Sequence, residues 1–492
     1  MAKTMIGSGS ECPKTAQEFR SLLLENEKPG KNGVLSARER ITALFDEGTF
    51  TEIGAYTMRR LGEFDTEADY EFESVICGYG SVEGCLVYAF SQDLNRTKGS
   101  VSEAAAAKIA NVYKLAVENG CPVVGIFDSA GAYLPEGVRA LAGYGRIMKA
   151  VSSASGIIPQ IAVVPGTATG ASAVIASMFD FVVATGNSKI SVNPPFVVGG
   201  GETSDSVEAG LVSIKAADDL AACGTVRSLL TILPSNNEEG IVETVSADEV
   251  NRLIDTSAYA ATGEIKSLIA AFADNASYIE IGSEYAKSVS TGFVLLDGVT
   301  CGVIATDASV EEGRLTSKGA RKAAKFLSFC DSFGIPAITL VDSEGFAVSG
   351  EEEKNPYSSE IGKLAGVYAM AKTPVITLVC GKAYGSVFSV LGSKSIGADI
   401  VFALDSAKIT CMSPASAVAL LWNDQISKTV SRADLEQKWA ETEANVIEAA
   451  KAGEIDDIIE SEEIRQRLAS AVLMLAGKAV KAPGRRHANM PL

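Results

Sequence analysis

The sequence predicts an α/β fold written in duplicate: two copies of a largely parallel sheet with helices packed on its outside. Three observations carry this expectation. Short apolar runs ended by glycine turns alternate with stretches of helical apolar spacing, the pattern of parallel strands joined by helical crossovers. Landmarks recur in constant register: Gly84, Gly99 and Gly120 return as Gly298, Gly313 and Gly334, and Pro159 and Gly170 return, after a single-position slip, as Pro374 and Gly385. Hydrophobic residues make up 47% of the 492 and charged residues 21%, enough apolar material for two cores and too much for a disordered chain.

Taken in order, LSARERITALFDEGTFTEIGAY (35 to 56) predicts a helix from near Ser36 to near Gly48, an amphipathic clamp on the core. SEAAAAKIANVYKLAVENG (102 to 120) reads as a helix and VVGIFDS (123 to 129) as the strand after it. In IPQIAVVPGTATGAS (158 to 172) Gly166 ends a strand and Gly170-Ala171 opens a helix, followed by DFVVATGNSKISV (180 to 192). The second copy repeats the series. SKGARKAAKFLSFCDSFG (317 to 334) is the helix and AITLVDS (337 to 343) the strand. TPVITLVCGKAYGSV (373 to 387) carries Gly381 and Gly385-Ser386-Val387, and DIVFALDSAKITC (399 to 411) closes the series. A polar stretch between LPSNNEEG (233 to 240) and TGEIKSLIAAFAD (262 to 274) separates the copies, which puts the boundary near residue 260 and the domains at 1–260 and 261–492.

Composition removes several classes of function. With 43 basic and 61 acidic residues the net charge is −18, which repels a phosphate backbone, so no nucleic-acid partner is expected. The one histidine, His487, lies in the tail GRRHANMPL, which excludes histidine-based triads, imidazole general bases and most zinc sites; no metal is expected. Nine cysteines are scattered without C-x-x-C spacing and read as small buried hydrophobes of a reducing, cytoplasmic protein. Neither an apolar leader nor an uninterrupted apolar run of membrane-spanning length occurs, so neither a signal peptide nor a membrane span is expected.

Local motifs narrow the field further. Ser129 in FDSAG is not a nucleophile elbow, because Phe127 takes the first glycine position and no histidine can activate the hydroxyl. GYGSVEG (78 to 84) lacks dinucleotide-binding spacing, and no phosphate-binding GK[ST] loop occurs. The runs Glu351 to Glu353 and Asp456-Asp457 read as solvated faces rather than metal sites. What remains is glycine at the carboxyl ends of parallel strands, where backbone N–H groups and a helix start can hold a developing oxyanion. Such a site suits enolate formation beside a thioester carbonyl, provided that the substrate or cofactor moves the proton.

At these residues the chain resembles the carboxyltransferase component of biotin-dependent acyl-CoA carboxylases and decarboxylases, the family of propionyl-CoA carboxylase β subunits and methylmalonyl-CoA decarboxylase α subunits. The matching pieces, in order, are SARERITALFDEGTFTEIG, YAFSQD followed by GSVSEA, VGIFDSAGAYLPEGV, SGIIPQIAVVPG, LPSNN, FCDSFGIPAITLVDSEGF, KAYGS and RRHANMPL. The resemblance implies tandem crotonase-like domains of the ββα-superhelix type, the first holding acyl-CoA and the second holding biotin, with the reaction between them at a subunit interface. CO2 leaves carboxybiotin, the biotin anion takes the α-proton, and the thioester enolate attacks CO2.

Carried over by position, Gly170 and Ala171 would hold the enolate oxygen and Ser386 and Val387 the biotin oxygen. Gly99, Ala130, Gly131 and Gly166 would contact acyl-CoA, and Gly345, Phe346 and Gly385 would contact biotin. No biotinyl-lysine segment occurs in the chain, so biotin is expected on a separate carrier protein. Biotin carboxylase or membrane decarboxylase subunits are the further partners implied, around a homo-oligomeric core, a hexamer built as a trimer of dimers. The chain departs from the family pattern at Ala130, Tyr133, Ser389 and FAVSGEEEKN (346 to 355). Two alternatives follow: a biotin-independent crotonase-type acyl-CoA enzyme, and a divergent subunit without turnover. A short acyl group such as propionyl or methylmalonyl is the expected substrate; the direction of transfer is left open.

Overall fold

The computed structural model describes residues 15–480 except 26–28, 31–33, 61–70, 195–196, 198, 200, 243 and 428, so Cys12, His487 and the RRHANMPL segment lie outside the described residues. The chain divides into two compact units, Met1–Glu239 and Gly240–Leu492. No helix among the described residues is long and apolar enough to cross a membrane.

In the first unit, strands β1 (Thr51–Glu52), β2 (Val75–Val82), β3 (Cys85–Gln92), β4 (Val123–Ile126), β5 (Gln160–Val164), β7 (Phe181–Thr185) and β9 (Ile214–Ala216) lie side by side in that order. The first two pairings are antiparallel and the rest parallel. β6 (Thr167–Thr169) and β8 (Lys189–Ser191) pair apart from this sheet as a parallel ribbon. Strands β4, β5 and β7 are buried throughout, as a sheet covered on both faces requires. The helix Glu103–Asn119, capped by Ser102 and stopped by left-handed Gly120, turns Ile109, Val112, Tyr113 and Ala116 onto that sheet.

The second unit repeats the order with β10 (Ile279–Ile281), β11 (Val289–Leu296), β12 (Val299–Thr306), β13 (Ala337–Ser343), β14 (Val375–Tyr384), β15 (Ile400–Leu404) and β17 (Asp457–Ile459). Here the ribbon is fused to the main sheet. β14 runs on through Gly381, and its last three residues pair with β16 (Lys408–Thr410), with a register shift against β13 between Val341 and Ser343. Gly381 therefore does not end a strand, as expected from the first copy; it continues one.

Three further readings of the sequence differ from what the structure shows. The early helix spans Ala37–Leu44, closed by a Ser36/Glu39 capping box, and Phe45 is already extended, so the clamp is shorter than expected. Cys85 and Cys411 are exposed rather than buried. Residues 240–260 join the second unit, which moves the division earlier than residue 260. The reason is hydrogen bonding that patterning cannot reveal. The Thr244 N–H donates to the Gly298 carbonyl at 2.8 Å, and the fully buried Arg465 guanidinium donates to the Glu249 and Phe272 carbonyls at 3.1 and 2.6 Å.

The duplicated glycines Gly99 and Gly313 adopt φ of 66°. A Cβ on either would stand 2.1 Å from a backbone oxygen, that of Asp128 in one unit and of Asp342 in the other. A side chain there meets rigid backbone as well as an unfavourable dihedral. Gly313→Ala is expected to cost about 3 kcal/mol or more of unfolding free energy, whereas Gly334→Ala, also at φ 66° but in open space, costs about 1 kcal/mol. Denaturant unfolding of the two variants side by side checks the difference; equal losses would contradict the packing argument.

Candidate active site

In each unit the site is built on a buried aspartate at the carboxyl end of the strand that makes the first parallel pairing, β4 in one and β13 in the other. Asp128 follows β4, and its Oδ1 accepts the Thr167 N–H at 3.1 Å. Asp342 lies near the end of β13, and its Oδ1 accepts the Lys382 N–H at 2.9 Å. Each carboxylate thus closes the turn that leads to the candidate helix start. A Cβ on Gly166 would lie 2.3 Å from the Asp128 carboxylate, and one on Gly381 would lie 2.3 Å from Asp342 Oδ1. Only glycine lets chain and carboxylate approach so closely.

The second carboxylate oxygen is held differently in the two copies. Asp128 Oδ2 accepts from Arg40 at 2.8 Å, and the same guanidinium donates to Asp219 at 2.9 Å, all three residues buried. This charge-assisted pair explains why the clamp helix Ala37–Leu44 is drawn to the site. Asp342 Oδ2 accepts instead from the Tyr259 hydroxyl at 2.6 Å. Burial, with Cys380 and Asp342 adding to it, pushes that phenol far above its ordinary pKa, so it remains a donor.

Beyond the aspartates the turns reach the predicted residues. Gly170, at φ 64° and ψ −127°, precedes the helix Ala171–Ser177, and its own N–H donates to the Ser191 carbonyl at 2.9 Å. Gly385, at φ 69°, donates likewise to Thr410 at 2.9 Å and precedes the short helix Val387–Val390. The glycine amides are therefore engaged in the ribbon. The N–H groups that follow each glycine, those of Ala171 and Ser172 in one unit and of Ser386 and Val387 in the other, are the leading donors of a helix and have no intrahelical carbonyl to meet. In the first unit the Gly170 N–H is spent on the Ser191 carbonyl, which leaves those of Ala171 and Ser172 as the leading N–H groups of the helix.

The neighbouring loops come to the same place. The Cβ direction of Gly131 points at the Thr169 carbonyl, 4.0 Å away, and that of Gly345 at the Tyr384 carbonyl, 3.3 Å away. Ala130 and Gly131 thus stand beside the Gly170 turn, and Gly345 and Phe346 beside the Gly385 turn. Gly99 and Gly166 sit behind Asp128, so their lack of a side chain is accounted for by packing against it. Sequence reading passed over Asp128 and Asp342, although the register that carries Gly99 onto Gly313 also carries one aspartate onto the other.

The loops before the main helices differ in charge. Arg96-Thr97-Lys98 in the first unit corresponds to Val310-Glu311-Glu312 in the second. In the second unit a cleft of about 710 Å³ is lined by Glu284, Lys287, Glu311, Arg314, Val348 and Glu352, among others. The acidic run expected as a solvated face is partly structural, since Glu352 accepts the Ser317 N–H at 2.7 Å at a helix start.

The cleft wall is tied down by Lys322, whose buried ammonium donates to the Gly282, Tyr285 and Val289 carbonyls at 2.7, 2.8 and 2.7 Å. Burial lowers its pKa to about 8. Between pH 8 and the ordinary lysine value of about 10.4, the unfolded chain holds a proton that the folded chain has released, so stability rises with pH across that window. Lys322→Met is expected to remove this rise; unfolding free energies of both proteins measured at pH 7 and pH 10 check it, and parallel pH curves would refute it.

The family model described as the carboxyl transferase domain matches residues 28–490. Methylmalonyl-CoA decarboxylase subunit alpha of Propionigenium modestum is 36% identical over 491 residues, 95% of each chain. The propionyl-CoA carboxylase beta chain of Roseobacter denitrificans is 34% identical over 484 residues, 94% of each chain. Among solved structures, the transcarboxylase 12S hexamer with methylmalonyl-coenzyme A and methylmalonic acid bound is 28% identical, and the match covers 98% of this chain and 100% of that one with a TM-score of 0.90.

Proposed function

The chain belongs to the carboxyl transferase domain family, and on that premise we propose that it moves a carboxyl group between biotin on a separate carrier protein and a small acyl-CoA of the propionyl or methylmalonyl type. Its fold is the duplicated crotonase-like one of that family. The observation that carries the functional reading is the repetition of one device in both units: a left-handed glycine bonded into a ribbon, followed by two N–H groups at a helix start. One reaction in which two carbonyl oxygens gain charge needs two such sites.

In this reading the Ala171 and Ser172 amides hold the thioester oxygen as the enolate forms, and those of Ser386 and Val387 hold the ureido oxygen. The donor set fits biotin: the group presents a carbonyl oxygen, and the turn at the exposed Ser386 offers paired neutral donors for it. Biotin, when bound, supplies the transferable carboxyl group and the base for the α-proton. The chain's own part is to orient both oxygens and to stabilise charge on them before reaction. Ala130, Gly131 and the methyl of Ala171 bound the acyl group, and a side chain one methyl larger than glycine discriminates among short acyl chains by about 1–3 kcal/mol.

The charge of the two loops supports placing CoA on the first unit. CoA carries phosphates, and against a net charge of −18 it needs local cations. The exposed Lys98, with the buried Arg96 behind it, provides them; Glu311 and Glu312 do not. We place the protein in the cytoplasm as a homo-oligomer, a hexamer after the form of the 12S relative, working with a biotin carboxyl carrier and with biotin carboxylase or membrane decarboxylase subunits.

The test mixes the purified protein and a biotin donor with short acyl- and malonyl-type CoA thioesters and follows product masses. Biotin-dependent carboxyl exchange is expected; conversion without biotin, or no conversion, contradicts the reading. Gly170→Val, which forces a β-branched residue to φ 64°, is expected to lower kcat at least a hundredfold with the fold intact, while the exposed Asp457→Ala leaves turnover within twofold. Lys98→Glu is expected to raise KM for acyl-CoA about tenfold and to leave KM for the phosphate-free acyl-pantetheine unchanged; an equal rise for both substrates would remove Lys98 from CoA recognition.

A further inference from the structure

One polar contact separates the two units at otherwise equivalent places. Tyr144, on the helix Val138–Ala154, is buried at 4% exposure, and its hydroxyl lies 3.0 Å from the Ser172 hydroxyl, itself 1% exposed. Ser172 is the second residue of the helix Ala171–Ser177. Nearby, the Ser129 hydroxyl accepts the Gly131 N–H at 3.1 Å. The phenol thus ties the helix Val138–Ala154 to the helix start at Ala171, one of the two pieces of backbone between which the acyl group is proposed to lie.

The second unit keeps only half of this arrangement. Ser343 accepts the Gly345 N–H at 3.1 Å, as Ser129 does for Gly131. Val387 stands where Ser172 stands, and the register that carries Gly120 onto Gly334 carries Tyr144 onto Ser358, while that of Pro159 onto Pro374 carries it onto Ser359. The hydroxyl at the helix start has no counterpart, and the buried phenol at the start of the corresponding helix Tyr357–Met370, that of Tyr357, donates instead to the Leu315 and Ala347 carbonyls at 2.7 and 3.2 Å. A bond from such a phenol to the helix start is found in the first unit alone among the described residues. A buried hydroxyl at the second helical residue fixes the direction of the amides beside it, because the hydroxyl cannot leave its partner without a desolvation cost.

We infer that Tyr144 is a positioning residue of the acyl-CoA half-site, holding the Ala171 and Ser172 amides in place through the Ser172 hydroxyl. This rests on the carboxyltransferase reading above. Its effect is on the charged oxygen of the enolate, which gains more from aligned donors than the neutral thioester does. It therefore acts on kcat and leaves ground-state binding of acyl-CoA nearly untouched.

The test is made on the full chain with its biotin donor. Tyr144→Phe keeps the ring and removes the hydroxyl; kcat for carboxyl exchange on acyl-CoA is expected to fall about tenfold, with KM changed less than twofold. Ser172→Ala should do the same, and the double variant should fall no further than either single one, because both remove one bridge. Amide hydrogen exchange should quicken in peptides covering 168–174 and stay as in wild type around 345 and 385. Faster amide exchange with unchanged kcat overturns the inference, as do additive losses or a rise in KM alone. Wild-type protein inert towards every acyl-CoA overturns the functional reading instead, an outcome distinguished by its presence before any substitution is made.

Discussion

The structure depends on a buried carboxylate set against a glycine. In each unit an aspartate at a strand end takes the N–H of the next crossover's turn, and the approach is so close that a single Cβ at Gly166 or Gly381 would occupy the carboxylate's place. A buried anion is tolerable only if its oxygens are satisfied, so each aspartate recruits a second donor from outside the sheet. In the first unit that donor is Arg40, which brings the helix Ala37–Leu44 with it; in the second it is Tyr259, which brings the segment after Gly240. The outer parts of each unit are ordered by what the inner aspartate lacks.

From this constraint the geometry of the turns follows. The aspartate pins the chain after the strand, the ribbon bond from Gly170 to Ser191 or from Gly385 to Thr410 fixes the glycine, and the helix starts just beyond it, at Ala171 in one unit and at Val387 in the other. Helix-first N–H groups are left pointing past the turn. The catalytic device proposed here is thus a by-product of how a parallel strand is handed to a helix, which is why it needs neither histidine nor metal ligand and tolerates Ala171, Ser386 and Val387 where side chains differ. The two copies of the turn differ in the charge of the loop at 96–98 against that at 310–312 and in the bond from Tyr144 to Ser172.

Much of this was legible in the sequence because it is local or periodic. The duplication, the strands β4 and β13, the helices Glu103–Asn119 and Ser317–Ser332, and the turns at Gly170 and Gly385 follow from glycine spacing and apolar runs. What escaped was long-range. Nothing in the sequence near Arg40 says that it reaches Asp128 and Asp219, 88 and 179 residues away. Patterning could not assign residues 240–260 to the second unit, because the Thr244 and Arg465 bonds that hold them have no local signature. The engaged amide of Gly170 was also invisible, since its acceptor, Ser191, lies in a different strand.

The account stands most directly on where the two oxygens bind. A crystal structure of the assembled protein with a non-reactive acyl-CoA thioester analogue and free biotin measures this. The account predicts the thioester oxygen within hydrogen-bonding distance of the Ala171 and Ser172 nitrogens and the ureido oxygen within the same reach of Ser386 and Val387. A thioester or ureido oxygen bound elsewhere, with those four N–H groups facing water, would contradict it.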